Sequence, residues 1–415
     1  MNASKAPRPR AALLSLLVLG AATALAREPL PRVSTAPVVG AQAPAAAPVR
    51  RRKKAFDPDT HWRPRHRRKA AVVVDSGPAR IPLEPGRWKP EVRDALELRL
   101  AREGRLSSRY DPEDPPVAVL MLDGLAGAHS AGDALFRRLV DHAEFRFDDK
   151  YWRMIPEPFG GERVRAGYNG FKDRPPAVWP KDEDYAVYRK AFYRARREVC
   201  RLWGGRECAR WKATLLAGFS ERDLRAIVRE AIPDALAEPV GSGRAGDFLD
   251  DPDPVEFPTG LRRVPELEEL ARKLAEQGFV VWVMSRSDQW SAERFASLYR
   301  VPSERVLGVR NVVMEGKLEA GMIPPLPWGT GTVEALLRIV GKEPDIALLG
   351  LDDRELAAKT ALPVWFLEEG VLPPKPEALT QTVFKPLRMP QSAGGEEEAE
   401  REGLQGEPGT QAAGP

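Results

Sequence analysis

Groups able to do chemistry gather where apolar runs end. Asp123 lies at the end of the run at residues 117–122, Ser285 and Arg286 follow the run at 279–284, and Asp352 and Asp353 follow the run at 346–351. A carboxylate can move a proton or hold a hard cation, and a guanidinium can hold an anion. Arg286 is read as such an anion contact or as half of a surface ion pair. Asp133, near the start of a helical pattern, is read first as a cap or helix-dipole partner and second as a substrate contact. His129 stands near the same loops, but a lone His is a weak signal for a base or a metal ligand. Trp282 and Trp328 are expected in the core, with pocket lining as the alternative.

Those residues need a frame that brings strand ends together. The run at 117–122 precedes a helical pattern at 131–142. A helix at 264–277 leads into the run at 279–284 and a helix at 289–299. A short strand at 305–309, a hairpin at 312–321 turning at Glu315-Gly316, a helix at 332–340 and runs at 346–351 and 364–367 complete the pattern. Such alternation predicts an α/β fold, a doubly wound and mostly parallel sheet with helices on both faces. Ligands of open sheets bind outside the carboxyl ends of the strands, where the residues above would sit. Helical patterns at 184–203, 207–216 and 220–231, the last opened by Ser220 with Asp223 three residues on, predict an all-helical cap over that edge. Cys200 and Cys208 flank Gly204-Gly205 between two of those helices, where a turn could bring their Cα atoms within the ~4.4–6.8 Å of a disulfide. Two buried free thiols are the other reading. Asp250, Asp251 and Asp253, interleaved with Pro, read as a solvated hinge from cap to core.

Composition narrows the classes. A chain of 415 residues with 43% hydrophobic and 30% charged residues has room for two or three domains, which excludes wholesale disorder and collagen. A net charge of +4 leaves no specific nucleic-acid partner expected for the whole molecule. Two cysteines exclude a disulfide-framework mini-protein, and also a cysteine-built zinc site unless the 4 His contribute, most of which lie outside the expected core. Residues 1–26, basic then apolar then Ala24-Leu25-Ala26, read as a signal peptide for export to a periplasmic or extracellular space, with a retained membrane anchor as the alternative. Residues 27–90 read as a disordered Pro/Ala-rich and basic linker, whose arm at 50–69 is a spacer or a tether to anionic lipid or polymer. The core is expected at 91–143 and 251–390, the cap at 144–250, and a disordered acidic tail at 391–415.

The strand-end stretches Leu120-Met121-Leu122-Asp123-Gly124-Leu125, Val283-Met284-Ser285-Arg286-Ser287, the helix entry at Gly329-Thr330-Gly331-Thr332, and Gly350-Leu351-Asp352-Asp353-Arg354-Glu355 come in the order of a known scheme. Together with residues 132–136 and 216–219, they resemble the haloacid dehalogenase superfamily in its phosphoserine-phosphatase-like branch, over residues 117–367. The resemblance implies a Rossmannoid core with a helical cap inserted after the first strand. It also implies a first strand ending D-x-D-G/N-T, a second ending in Ser or Thr, a Lys opening a later helix and a last acidic loop. In that chemistry the first Asp attacks phosphorus and the second is acid and base. The hydroxyl and Lys neutralise the phosphoryl group, and the acidic loop holds Mg²⁺.

Carried across residue by residue, Asp123 matches the acid/base and Ser285 the phosphate-binding hydroxyl. The nucleophile position is Met121, the motif Thr is Leu125, the Lys position is Thr332, and the first acidic position of the last loop is Leu351. Moving the register does not help, because with Asp123 as nucleophile the acid position would be Leu125. Asp123, Asp352 and Asp353 remain as an altered metal cluster, with Mg²⁺ as cofactor if the chemistry survives and none otherwise. These departures favour a catalytically impaired, exported module that binds a ligand, such as a phosphorylated small molecule, or a partner. The alternatives are a Mg²⁺-dependent phosphomonoester hydrolase with a non-standard site, and a surface protein acting through its basic arm.

Overall fold

The computed structural model describes residues 80–125, 130–248, 250–372, 374–375 and 377–383. The expected signal peptide, the basic arm, the acidic tail and His129 lie outside the described residues. In chain order the elements are α1 (Pro90–Glu103), β1 (Val117–Met121), α2 (Leu122–Leu125), α3 (Ala131–Asp141), α4 (Asp149–Trp152), α5 (Gly161–Phe171), α6 (Glu183–Thr214) and α7 (Glu221–Ala237). There follow β2 (Gly241–Ala245), β3 (Val255–Thr259), α8 (Pro265–Glu276), β4 (Val280–Asp288), α9 (Gln289–Ala296), β5 (Val306–Val309), β6 (Asn311–Met314) and β7 (Lys317–Met322). The last are α10 (Thr330–Ile339), β8 (Ile346–Leu349), α11 (Arg354–Ala357), β9 (Leu362–Leu367) and β10 (Leu379–Thr382).

Six parallel strands form the main sheet in the order β10-β9-β8-β1-β4-β5. β1 is buried along its whole length, as a continuous apolar run in a parallel sheet should be. Its side chains alternate between two cores: Val117, Val119 and Met121 join one apolar layer, Ala118 and Leu120 the other. Helices on each face follow from their stripes; α8, with Pro265 in its first turn, buries Leu267, Leu270, Ala271 and Leu274 at spacings of one helical face. The strand order reverses at β1, with β4 on one side and β8 on the other, and Val117 pairs with Val280 while Ala118 pairs with Ile346. That crevice is where a doubly wound sheet offers a site.

Three expectations need correction. The segment assigned to the linker reaches the core before residue 90: Leu83 and Trp88 are buried, and Arg87 pairs with Glu266 at 2.9 Å. Isolated apolar residues without a period carry no signal, so residues 83–88 went unmarked, as did β10, whose Gln381 accepts from the Lys89 N–H at 2.9 Å; α1, which buries Val92, Leu96 and Leu100 at helical spacing, was legible and is an addition to the expected elements. The insertion between α3 and α8 is not all helical, since β2 and β3 form an antiparallel hairpin across the expected boundary at 250. Glycine-rich β2 shows no alternation, and β3 is fixed by tertiary contact: Phe257 stacks on Tyr193 with centroids 4.0 Å apart. The expected hinge is also not fully solvated. The Asp251 side chain is 5% exposed and accepts from Lys190 Nζ at 2.6 Å.

Candidate functional site

β4 leaves its ladder with β5 near the strand tip. Met284 pairs with Leu307 and Asp288 with Val309, so four residue steps on β4 face two on β5. The chain at 285–287 turns instead toward the end of β1. There Asp123, in the single turn of α2, accepts from the Arg286 backbone N–H and from the Ser287 hydroxyl at 3.1 Å. The Ser287 oxygen accepts in turn from the Gly132 N–H at 3.0 Å, which ties the start of α3 to the same point. Ser285, the residue expected to bind phosphate, is buried and accepts from the Ser287 N–H at 3.1 Å. The hydroxyl bonded to Asp123 is therefore that of Ser287, which sequence reasoning passed over because it falls two residues beyond the motif position. Asp288 ends the turn by capping α9, accepting from the Ser291 N–H at 2.9 Å, and burial pushes its carboxyl up.

Arg286 crosses the crevice. Its Nη2 donates to Asp353 Oδ1 at 2.5 Å and its Nη1 lies 3.5 Å from Asp352 Oδ2, while its guanidinium stacks 4.3 Å from the centre of the Trp328 ring. The surface ion pair foreseen for Arg286 is a largely buried one, with 13% of the arginine side chain and none of the Asp353 side chain exposed. Asp353 also accepts from the Gly350 N–H at 2.8 Å. Burial raises its carboxyl, the guanidinium and this N–H pull it back, and the balance is about 6. Asp352 is 65% exposed.

Asp133 is both a cap and a hub. It forms a capping box with Ser130, and its Oδ1 accepts from Arg196 at 2.7 Å and from Lys212 at 2.8 Å, both from α6 in the cap. Burial alone would push this carboxyl up, but Lys212 and Arg196 outweigh it and hold it well below the usual carboxylate range.

The remaining motif positions face away from chemistry. Met121 is wholly buried in the apolar layer that includes Met284, Leu336 and Leu349. Leu125 is wholly buried in the other core. Thr332, 2% exposed, has a hydroxyl with no hydrogen-bond partner among the described residues. Leu351 is partly exposed, and Trp282 is core, as expected, while Trp328 lines the crevice through Arg286. Between Lys212 of the cap and residues 286–288 lies a cavity of about 20 Å³, room for roughly one water.

A hard divalent cation does not fit the carboxylates present. Mg²⁺ asks for near-octahedral oxygen donors at ~2.0–2.1 Å. Both Asp123 oxygens already accept from an N–H and an O–H, both Asp353 oxygens accept from an N–H, and the positive charge beside them belongs to Arg286. Among the described residues no group of three or more His, Cys, Asp or Glu is arranged to hold a metal.

No protein-family model matches the chain. No curated protein matches it in sequence. Among solved structures, a functionally unknown protein from Anaerococcus prevotii aligns with a TM-score of 0.60 at 16% identity, over 70% of this chain and 88% of that one. A probable phosphoserine phosphatase from Vibrio cholerae aligns at 14% identity with a TM-score of 0.30, over 62% of this chain and 57% of that one. A HAD family hydrolase from Salmonella enterica gives 12% identity and a TM-score of 0.29, over 60% of this chain and 61% of that one. The likeness to the Anaerococcus prevotii protein extends to the fold and not to a reaction. With the parallel sheet reversing at β1, the crevice at its carboxyl edge and the insertion between α3 and α8, the chain has a doubly wound α/β fold, which it shares with the Anaerococcus prevotii protein.

Proposed function

We propose that this protein is a haloacid-dehalogenase-like module that has lost phosphoryl transfer and acts by binding a ligand or partner. The observation that carries the reading is Met121: the position that would need an attacking carboxylate holds a thioether, wholly buried in an apolar layer. The carboxylate that the strand end does offer, Asp123, is held by two hydrogen bonds from residues 286 and 287. A nucleophile lost on its own costs several orders of magnitude in rate. Here the lysine position, Thr332, lacks its charge as well.

The ligand class suggested by the resemblance is a phosphorylated small molecule. The nearby cations are already paired, and the enclosed space holds about one water. A phosphate seated in that cavity would therefore have to part Asp133 from Lys212 or Asp353 from Arg286. Export is part of the proposal, because the Cys200–Cys208 pair is bonded and such bonds persist in oxidising compartments.

The test is an assay of a generic phosphomonoester with Mg²⁺. The expected outcome is no turnover above a boiled control, together with a rise in melting temperature for those phosphorylated compounds that bind. Turnover that disappears in Asp123→Asn would overturn the reading.

A further inference from the structure

Three carboxylates meet one arginine at the switch point of the sheet. Arg286 reaches Asp353 and Asp352 with its two terminal nitrogens, at 2.5 and 3.5 Å, and holds Asp123 with its backbone N–H. Asp353 is fully buried, and a carboxylate so placed needs a counter-charge held as deeply as itself. The Trp328 ring covers the guanidinium at 4.3 Å. From the cap, Gly205 comes so close that a Cβ there would lie 2.7 Å from that ring.

We propose that Arg286 is the resident cation of this site, a tethered guanidinium that neutralises the acidic loop in place of a divalent metal ion, so that the protein takes up no Mg²⁺ there. The argument is geometric. A planar fork of donors suits the two carboxylates that one loop presents side by side, and it is fixed covalently to the strand whose backbone holds Asp123. For a metal ion to take this place, the guanidinium would have to give up Asp353 and its stack on Trp328. Without Arg286 the same three carboxylates would repel one another, and a divalent ion would be the obvious remedy.

The inference concerns the site of the proposed function but stands apart from loss of turnover. Metal-independent hydrolysis would sink the proposed function alone, whereas saturable Mg²⁺ binding without hydrolysis would sink only the resident-cation assignment. The experiment titrates MgCl₂ into the disulfide-intact wild type, Arg286→Met and the double variant Arg286→Met/Asp353→Asn, followed by calorimetry and thermal melting. The wild type is expected to show no saturable heat and no more than ~1 °C of stabilisation at ~10 mM Mg²⁺. Arg286→Met should melt lower in metal-free buffer and recover several degrees with Mg²⁺. The double variant should regain part of the metal-free melting temperature and lose the Mg²⁺ response. If Arg286→Met does not fold without metal, its refolding yield with and without Mg²⁺ gives the same reading, and an equal yield counts against the assignment. Saturable binding to the wild type that Asp123→Asn removes, or an Arg286→Met variant indifferent to Mg²⁺, would overturn it.

Discussion

Asp133 faces two cations, Arg196 at 2.7 Å and Lys212 at 2.8 Å, whereas the nearly equally enclosed Asp353 has the single guanidinium of Arg286 and the Gly350 N–H. Two cations overcome the burial of Asp133 and lower its carboxyl; one leaves Asp353 raised to about 6. The sign of the linkage follows for Asp133. Its folded value lies below the ordinary ~3.9, so the unfolded chain binds more protons in acid. The stabilisation is present above about pH 4 and is lost as the pH falls. Asp133→Asn should cost about 3 kcal/mol at neutral pH, the low end for breaking a buried pair, and should flatten this part of the acid limb. Urea denaturation of both proteins from pH 7 downward checks it. Parallel pH profiles for the two would refute the assignment of the acid sensitivity to Asp133.

Among the elements, α6 does most to place the cap. It supplies Arg196 and Lys212 to Asp133, and between them it breaks at Gly204, whose φ of 80° a side chain would resist. The bridge between Cys200 and Cys208 closes across that break and leaves Gly205 against Trp328. Gly205→Val should therefore push the cap turn away from Trp328 and destabilise the fold by about 1–3 kcal/mol, the cost of overpacking. Tryptophan emission should move to longer wavelength as water reaches the ring. An unchanged spectrum and an unchanged denaturation midpoint would show that the turn does not bear on Trp328.

At the scale of the molecule, the cap and the core share one apolar cluster that runs from Leu83 through Phe192 and Phe219 to Phe366. Phe136 of the core helix α3 packs edge-on against Phe145 and Phe192 of the cap, with centroids 6.3 and 5.7 Å away. A shared interior couples the two parts when they unfold. Cap and core should then melt in one transition, with tryptophan fluorescence and far-ultraviolet circular dichroism following the same curve in urea. Two separated transitions would mean that the cap folds on its own.

The alternating apolar runs by themselves determined the parallel sheet, because a strand buried on both faces must be apolar at every position, and 117–122, 279–284 and 346–351 are. The same runs located Asp123, Ser285, Asp352 and Asp353 at strand ends, and the glycine pair between Cys200 and Cys208 indicated where a bridge was possible. What tertiary structure alone decided is who meets whom. Nothing local in Leu83, Trp88 or Gln381 marks them as core, since each is buried by a segment far away in the chain. The β4 bulge, which sets Ser287 and not Ser285 on Asp123, depends on the register against β5. Arg286 became the partner of Asp353, and not a solvated charge, because two strands adjacent to β1 bring residues 286 and 353 across one crevice, a closeness that spacing along the chain cannot express.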